Sequence, residues 1–327
     1  MNNAAFIRLL AVLGTMAGAT LGISAAWAQQ DYPNKPIRLV TMYAPGSNSD
    51  ANARYAGGKL GEQLGVNFII DNKPGGGGLA ALRDVYRAQP MGYSILLANT
   101  SFVGNTVAFK DPLYKIDDYT PVGVLGQTHY GLIMHDSIPA NTLGEFVAWA
   151  KANPGKVNYG GIGAAAGSTL NAERFKQMAG IDMTGIQYKG GDPVSIALLA
   201  GEVHVYFATL NTARNRMQNK QIKGLATTGE ERSSILPNVP TFTELGYPGM
   251  NTSSWHALFA PATIPAPMIA KLRDGFVKAG ATPEWKTRMA NNELEPFKGS
   301  NEQFMARIRK EAAQLVEDYK RLKLPQE

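Results

Sequence analysis

The chain predicts an α/β protein of two lobes, each with a mostly parallel central sheet, joined by strands that cross between them. Three observations carry this. Short runs rich in Val, Ile and Leu alternate with helical patterns over residues 31–124 and again over 142–227, and such alternation builds parallel sheets with right-handed crossovers. Two extended segments, Thr120–Met134 and Ser253–Phe259, lie where one unit would hand over to the other. The chain beyond its N-terminal leader, about 300 residues, also exceeds what one hydrophobic core usually supports.

The leader comes first. Arg8 precedes an apolar and small-residue run that reaches Ile23, and Ala26 and Ala28 flank Trp27. A basic residue, a stretch of about 15 apolar or small residues and an Ala-x-Ala end are the parts of a secretory signal. Residues 1–28 are therefore expected to be removed on export, with cleavage after Ala28. The run is too short and too rich in Gly and Ala for a bilayer span, which takes roughly 20 strongly apolar residues. No later segment is apolar for long enough either, so a soluble mature chain is expected.

Ile37–Tyr43 reads as a strand, followed by the small-residue loop Ala44–Asp50 and a helix over Ala51–Leu64, where apolar and small positions recur at helical spacing. Phe68–Ile70 is a short buried strand, residues 75–78 are all glycine, and Leu79–Ala88 is a second helix. Tyr93–Ala98 is a third strand, ending in the polar loop Asn99–Asn105. In the second unit, helix Thr142–Ala152 and the turn Asn153-Pro154-Gly155 lead to strand Val157–Tyr159 and the loop Gly160–Ser168. Helix Thr169–Ala179, strand Thr184–Tyr188, helix Pro193–Ala200 and strands Val203–Ala208 and Ile222–Thr227 follow. After the return crossing the tail from Pro267 is helical, its last helix folding back on the first lobe. The lobes are expected at residues 29–130 plus 251–327, and at 131–250.

Composition removes several functions. There is no cysteine, hence no disulfide, thiolate metal site or Cys nucleophile. The net charge of +6 becomes +5 without the leader, whose single charged residue is Arg8. No basic run concentrates that excess, and a nucleic-acid partner would need a basic stripe with aromatic platforms. The glycine run has neither Gly-x-Gly-x-x-Gly nor Gly-Lys-Ser/Thr spacing, so it reads as a turn where backbones pass closely. His129, His135, His204 and His256 include no His-x-x-x-His pair. No Gly-x-Ser-x-Gly elbow or acid/base pair of carboxylates stands out. Binding rather than catalysis is expected, without cofactor or metal.

Three loops share one layout: a strand ends, small or hydroxyl residues follow, and a helix begins. Ligands of open parallel sheets bind beyond the carboxyl ends of the strands. The helix N-terminus there offers unpaired N–H groups and partial positive charge, suited to a carboxylate or phosphate. The candidate binding residues are Ser47, Asn48, Ser49 and Asp50 in the first loop, Thr100 and Ser101 in the second, and Gly163, Ala165, Ala166, Gly167, Ser168 and Thr169 in the third. Tyr43, ending a strand, is expected to overhang the cleft, Trp255 and His256 sit at the return crossing, and Asp192 opens a further helix. The same residue types also serve as turns and caps, since Ser47, Ser49, Ser168 and Thr169 are good N-cap residues and Asp50 and Asp192 lie at loop–helix starts.

The run Tyr32-Pro33-Asn34-Lys35-Pro36-Ile37-Arg38-Leu39-Val40, then Ala44-Pro45-Gly46 and Asp50-x-x-Ala53-Arg54, resembles the opening of the Bug family, the periplasmic solute-binding proteins of tripartite tricarboxylate transporters. Asn72-Lys73-Pro74-Gly75, Gly92-Tyr93, Ala152-Asn153-Pro154-Gly155-Lys156-Val157-Asn158-Tyr159 and Tyr188-Lys189-Gly190 extend the resemblance. Leu236-Pro237-Asn238-Val239-Pro240-Thr241, Glu244-Leu245-Gly246 and Ala260-Pro261 carry it across essentially the whole mature chain. The resemblance implies a type II periplasmic-binding-protein fold, a periplasmic monomer that closes around a small organic carboxylate. It implies that backbone N–H groups and waters of the first loop and the second-lobe loop hold the carboxylate, and that the closed form docks on membrane permease subunits. Ser47 departs from the family pattern, which has a second glycine there. Ala165-Ala166 and Thr169-Leu170 stand where the second-lobe loop usually has Gly-Ser and His-Leu. The alanines add apolar surface, and with Tyr43, Phe102 and Trp255 nearby an aromatic dicarboxylate such as terephthalate is expected to fit. The alternative is a sensory protein that presents the same closed cleft to a membrane receptor kinase.

Overall fold

A computed structural model describes residues 32–75, 78–88, 91–292, 294–322, 324 and 326. The leader, its cleavage point, Gly76 and Gly77 lie outside the described residues. The first lobe is built on β1 (Ile37–Thr41), flanked on both edges by parallel strands, β2 (Phe68–Asn72) and β3 (Ser94–Asn99). The crossovers are α1 (Asn48–Leu64) and α2 (Leu79–Arg87), and α3 (Ser101–Ala108) follows β3. The Ser47 hydroxyl caps α1 by accepting the Asp50 N–H, and Gly65 ends it in the left-handed region at φ 69°, where a residue without Cβ is favoured.

The two lobes are joined by β4 (Tyr119–His135) and β9 (Ser253–Pro261). β9 pairs antiparallel with β3 and with β4 as far as His129; from Tyr130 onward β4 pairs antiparallel with β7 (Val205–Thr209), and from Gly131 with β8 (Ile222–Thr227). One strand thus changes partners at His129/Tyr130. In the second lobe β5 (Val157–Gly161) is flanked by parallel strands β6 (Met183–Gln187) and β7. The sheet runs β2-β1-β3-β9-β4-β7-β5-β6, with β8 beside β4. Its second-lobe helices are α4 (Leu143–Ala152), α5 (Gly167–Ala179), α6 (Gly191–Leu199) and α7 (Leu210–Met217). The tail forms α8 (Ala266–Ala281), α9 (Pro283–Asn291) and α10 (Asn301–Leu322).

Side chains alternate across a strand, so each sheet half has a core on both faces. Leu39, Leu97 and Leu258 pack on one face with Leu272 and Trp285; Val40, Leu96 and Phe259 pack on the other with Phe102, Trp255 and Phe304. In the second lobe Leu132 and Phe207 join Phe146, Phe175 and Phe242, while Ile133 and Tyr206 face Leu198 and Val203.

This alternation corrects one expectation. Trp255 shares the face of Ala257 and Phe259 and is fully buried, its ring edge-on to Phe304 at 5.0 Å and its Nε1–H donating to Glu311 at 3.1 Å. Phe102 stacks on Phe259 in the same core at 4.7 Å. Neither ring is at the cleft. The second loop is also shorter than expected, because α3 begins at Ser101: the Asn99 side chain accepts the Ser101 N–H at 2.9 Å, and Phe102, Val103 and Val107 are buried at helical spacing. Helix α7 was not expected either. Its sequence Leu-Asn-Thr-Ala-Arg-Asn-Arg-Met buries Leu210 and Ala213 alone, too few apolar positions to show a period.

Candidate functional site

The first loop is braced from inside. Asp50 is 3% exposed; one carboxylate oxygen accepts from the Gly46 N–H and Arg54 Nε, both at 2.9 Å, and the other from Asn72 Nδ2 at 2.8 Å. Burial pushes its pKa up, but the bonds from Arg54, Asn72 and Gly46 together outweigh this and hold it below the ordinary carboxylate value. Asn72 also donates to the Tyr43 carbonyl at 2.9 Å. Expected as a ligand contact, Asp50 instead spends its lone pairs shaping the turn, and a carboxylate facing an acidic ligand would repel it. Ser47 is the α1 cap, and Asn48 is the first residue of that helix.

Ser49, one residue further, reaches across the sheet end. Its Oγ lies 3.2 Å from Nε2 of His256, which sits opposite Asn99 of β3 and Gly126 of β4 in the ladder. His256 points away from Trp255, as strand alternation requires. It is buried, its Nδ1 has no hydrogen-bond partner, and burial lowers its pKa to about 4. The ring is thus neutral at ordinary pH. Because the unfolded chain takes up this proton near pH 6.5 and the folded one near 4, lowering the pH across that window costs stability, and above it His256 contributes no slope. We expect the His256 ring proton signal in an NMR titration to stay unmoved from pH 8 to 5; a midpoint near 6.5 would show an open, hydrated imidazole instead.

Three tyrosines complete the cluster. Tyr43 is half-buried with its hydroxyl enclosed, facing Asn99 and Tyr130. Tyr130, where β4 changes partners, places its hydroxyl beside Ser254 and Thr100. That hydroxyl also fills the space where a Cβ on Gly167 would stand, so any larger residue there would displace the Tyr130 ring. Tyr206 of β7 lies beside Gly191, and burial first, then Tyr130 and Asp192, push its phenol up. Burial first, then neighbouring tyrosines, pushes the Tyr43 and Tyr206 phenols up, and burial does the same at Tyr130. All three remain protonated donors.

The second-lobe loop packs against the first lobe. Gly163 donates to Gln187 Oε1 at 2.8 Å, which also accepts from Thr169 Oγ1 at 3.4 Å, and the Ala166 N–H returns to the Gly163 carbonyl at 3.1 Å. Ala165 and Ala166 are buried, and the Ala165 carbonyl presses on Gly104 of α3. Ser168 is 2% exposed and its Oγ has no partner. Asp192 lies apart: it is exposed in the first turn of α6, 3.9 Å from Arg216, where a carboxylate suits the helix dipole. Ser101 is half-buried at the start of α3.

The structure therefore joins Tyr43, Ser49, Thr100, Gly167 and His256, adds Asn99, Tyr130 and Tyr206, and removes Trp255. The added tyrosines lie within apolar strands, where a Tyr reads as core; only the strand order shows that their hydroxyls meet. A cavity of about 750 Å³ borders this cluster at Thr100, Tyr130, Ala165 and Gly167 and continues between α5 and α10, without reaching the first loop. Among the described residues no three His, Asp or Glu side chains gather as a metal site. Hydroxyls, a neutral imidazole and helix N-termini can hold and orient an anion; the Ser49–His256 contact lacks the third group on Nδ1 that would orient the imidazole as a base.

Hydroxyl and amide donors gathered where the crossing strands join the lobes have the chemistry of a solute receptor for an anion. Residues 52–321 match the tripartite tricarboxylate transporter family receptor, TctC. A UPF0065 protein of Bordetella pertussis is 33% identical over 90% of this chain and 92% of its own length. The solved structure of the periplasmic binding protein BugD is 28% identical with a TM-score of 0.83, covering 90% of this chain and all of that one. Two Rhodopseudomonas palustris proteins are similar: MatC with bound malate (25%, TM-score 0.81, 88% of this chain and 99% of that one) and Rpa4515 with adipate (26%, TM-score 0.83, 90% and 99%). The chain belongs to the TctC/Bug family of periplasmic solute-binding proteins.

Proposed function

We propose that this protein captures a small organic dicarboxylate by closing residues 29–130 plus 251–327 against 131–250, and delivers it to the permease subunits of a tripartite tricarboxylate-type transporter. Export would follow cleavage after Ala28, and the working form would be a monomer. The observation that carries this reading is a cluster of neutral donors on the first lobe, Ser49 with His256 and Tyr43 with Tyr130, that meets the second lobe where Tyr130 stands against the α5 N-terminus at Gly167. Such dipoles bind an anion without a fixed counter-charge, and closure follows because the full set is available only when both lobes meet the ligand. Malate and adipate in the two related structures favour a dicarboxylate.

The aromatic preference loses Phe102 and Trp255, which are core, and rests on Tyr43, Tyr130 and Tyr206. Calorimetric titration against terephthalate, adipate, citrate and glutamate separates the alternatives. Binding of terephthalate ahead of the others supports the aromatic form, tighter binding of an aliphatic acid removes it, and no binding of any acid removes the dicarboxylate reading.

A further inference from the structure

The cavity between α5 and α10 is not used by the first loop, yet it opens on the same Tyr130, Thr100 and Gly167 that border the ligand cluster. Its volume, about 750 Å³, lies within the range of roughly 300–1,000 Å³ typical of sites for substantial organic ligands. Its charge is lopsided. Arg174, Arg307, Lys310 and Arg321 line it against Glu311 and Asp318 alone. The Arg307 charge is paired by Glu311, and Gln127 and Ser253 accept two further bonds, each of the three at 2.7 Å. Arg174 and Arg321 share the one carboxylate of Asp318, at 2.5 and 2.9 Å, so that trio keeps one positive charge in excess. Lys310 is exposed on α10 and pairs with no carboxylate among the described residues, which adds a second. A concave site with an excess of one sign concentrates the opposite ion.

We propose that this chamber is a second, anion-accepting subsite of the same receptor, so that the ligand carries a second acidic group well separated from the first. One acid group would be held by the neutral donors around Ser49, His256 and Tyr130, and the other would extend past Tyr130 toward Lys310. The class is an elongated organic dianion, aliphatic or aromatic, rather than a four-carbon acid. This inference rests on the dicarboxylate reading above and adds to it a length requirement and a residue.

The test is calorimetry on the full mature chain and its Lys310→Ala and Lys310→Glu variants, with succinate, adipate, suberate, terephthalate and octanoate. Lys310 makes no ion pair among the described residues and is exposed, so both variants should melt with the parent. The parent is expected to bind suberate or terephthalate more tightly than succinate. Lys310→Glu should weaken the long diacids by about tenfold, because it removes an attracting charge and adds a repelling one, with Lys310→Ala intermediate. Succinate and octanoate should change by less than about twofold, and the long-diacid advantage should shrink as salt is raised. Equal losses for all acids, or none, overturn the subsite while leaving the dicarboxylate reading intact. A parent that binds none of the five overturns both.

Discussion

Gly104→Ala is expected to disable ligand capture while leaving both lobes folded. Gly104 lies in α3, where a Cβ would run into the Ala165 carbonyl oxygen and stand 3.0 Å from the Ala165 methyl. Both atoms belong to the second-lobe loop, so the clash falls between the lobes, at the contact that the proposed closure would make. Within α3 itself alanine is the better helix former, by about 1 kcal/mol, which protects the fold. Overpacking of a tight contact costs about 1–3 kcal/mol. Charged wholly to the closed state, that lowers apparent affinity by roughly 5- to 150-fold, because binding is reduced by the fraction of molecules able to close. Small-angle scattering should show the variant failing to compact at acid concentrations that compact the parent, with its circular dichroism spectrum unchanged. Parent-like affinity and compaction would mean that α3 and the loop do not meet in the liganded form.

Asp318→Ala is expected to destabilise the protein strongly at pH 7, by breaking the buried ion pair that α10 makes with α5. Asp318 is 3% exposed and holds Arg174 of α5 at 2.5 Å, in a contact that ties the C-terminal helix to the second lobe. Tyr319 reinforces it by donating to the Ala164 carbonyl at 3.2 Å, and Leu315 and Tyr319 pack on Ala165 and Val107. Removing one partner of a buried pair strands the other charge and costs about 3–5 kcal/mol. Arg321 is half-exposed, so its share is small. Burial acts to raise the Asp318 pKa, but the Arg174 hydrogen bond and charge, with Arg321 adding, hold it below the ordinary value. Its folded pKa thus lies under its unfolded one. The stabilisation is complete above the unfolded value, about 3.9, and is lost as pH falls from there through the lower folded value. The parent's melting temperature should therefore drop faster below pH 4 than that of Asp318→Asn. Parallel curves, or an Asp318→Ala protein as stable as the parent at pH 7, would show that the pair contributes nothing.

Much of the fold was legible because period and punctuation agree. Ile37-Arg38-Leu39-Val40 lies within β1, and the helix expected over Ala51–Leu64 ends at Leu64 as read but starts three residues earlier, at Asn48, behind the Ser47 cap. The crossing strands were legible as long apolar segments that no helix period fits. Boundaries slipped where a cap replaced a loop, as at Asn99–Ser101, since an Asn followed by hydroxyl residues signals either. Helix α7 was invisible because its stability comes from Leu210 and Ala213 packing on β4 and from neighbouring strands, not from its own pattern.

The site divides differently. Local chemistry marked Ser47, Ser49, Gly167 and Ser168, since a hydroxyl or glycine at a strand–helix junction is a property of adjacent residues. Asp50 shows the limit: whether a carboxylate faces a ligand or its own loop depends on Arg54 and Asn72, and Asn72 arrives from another strand. Sequence alone determined the α/β class, the crossing strands, the family and the junction loops, because each is written in neighbouring residues or in ordered short runs. Tertiary structure alone decided that Trp255 faces the core while His256 faces Ser49, that Tyr130 stands on the α5 N-terminus, and that α10 carries Asp318 to Arg174. Those outcomes depend on strand register and on contacts between residues as much as 207 positions apart, and no local pattern encodes which face or partner such a residue meets.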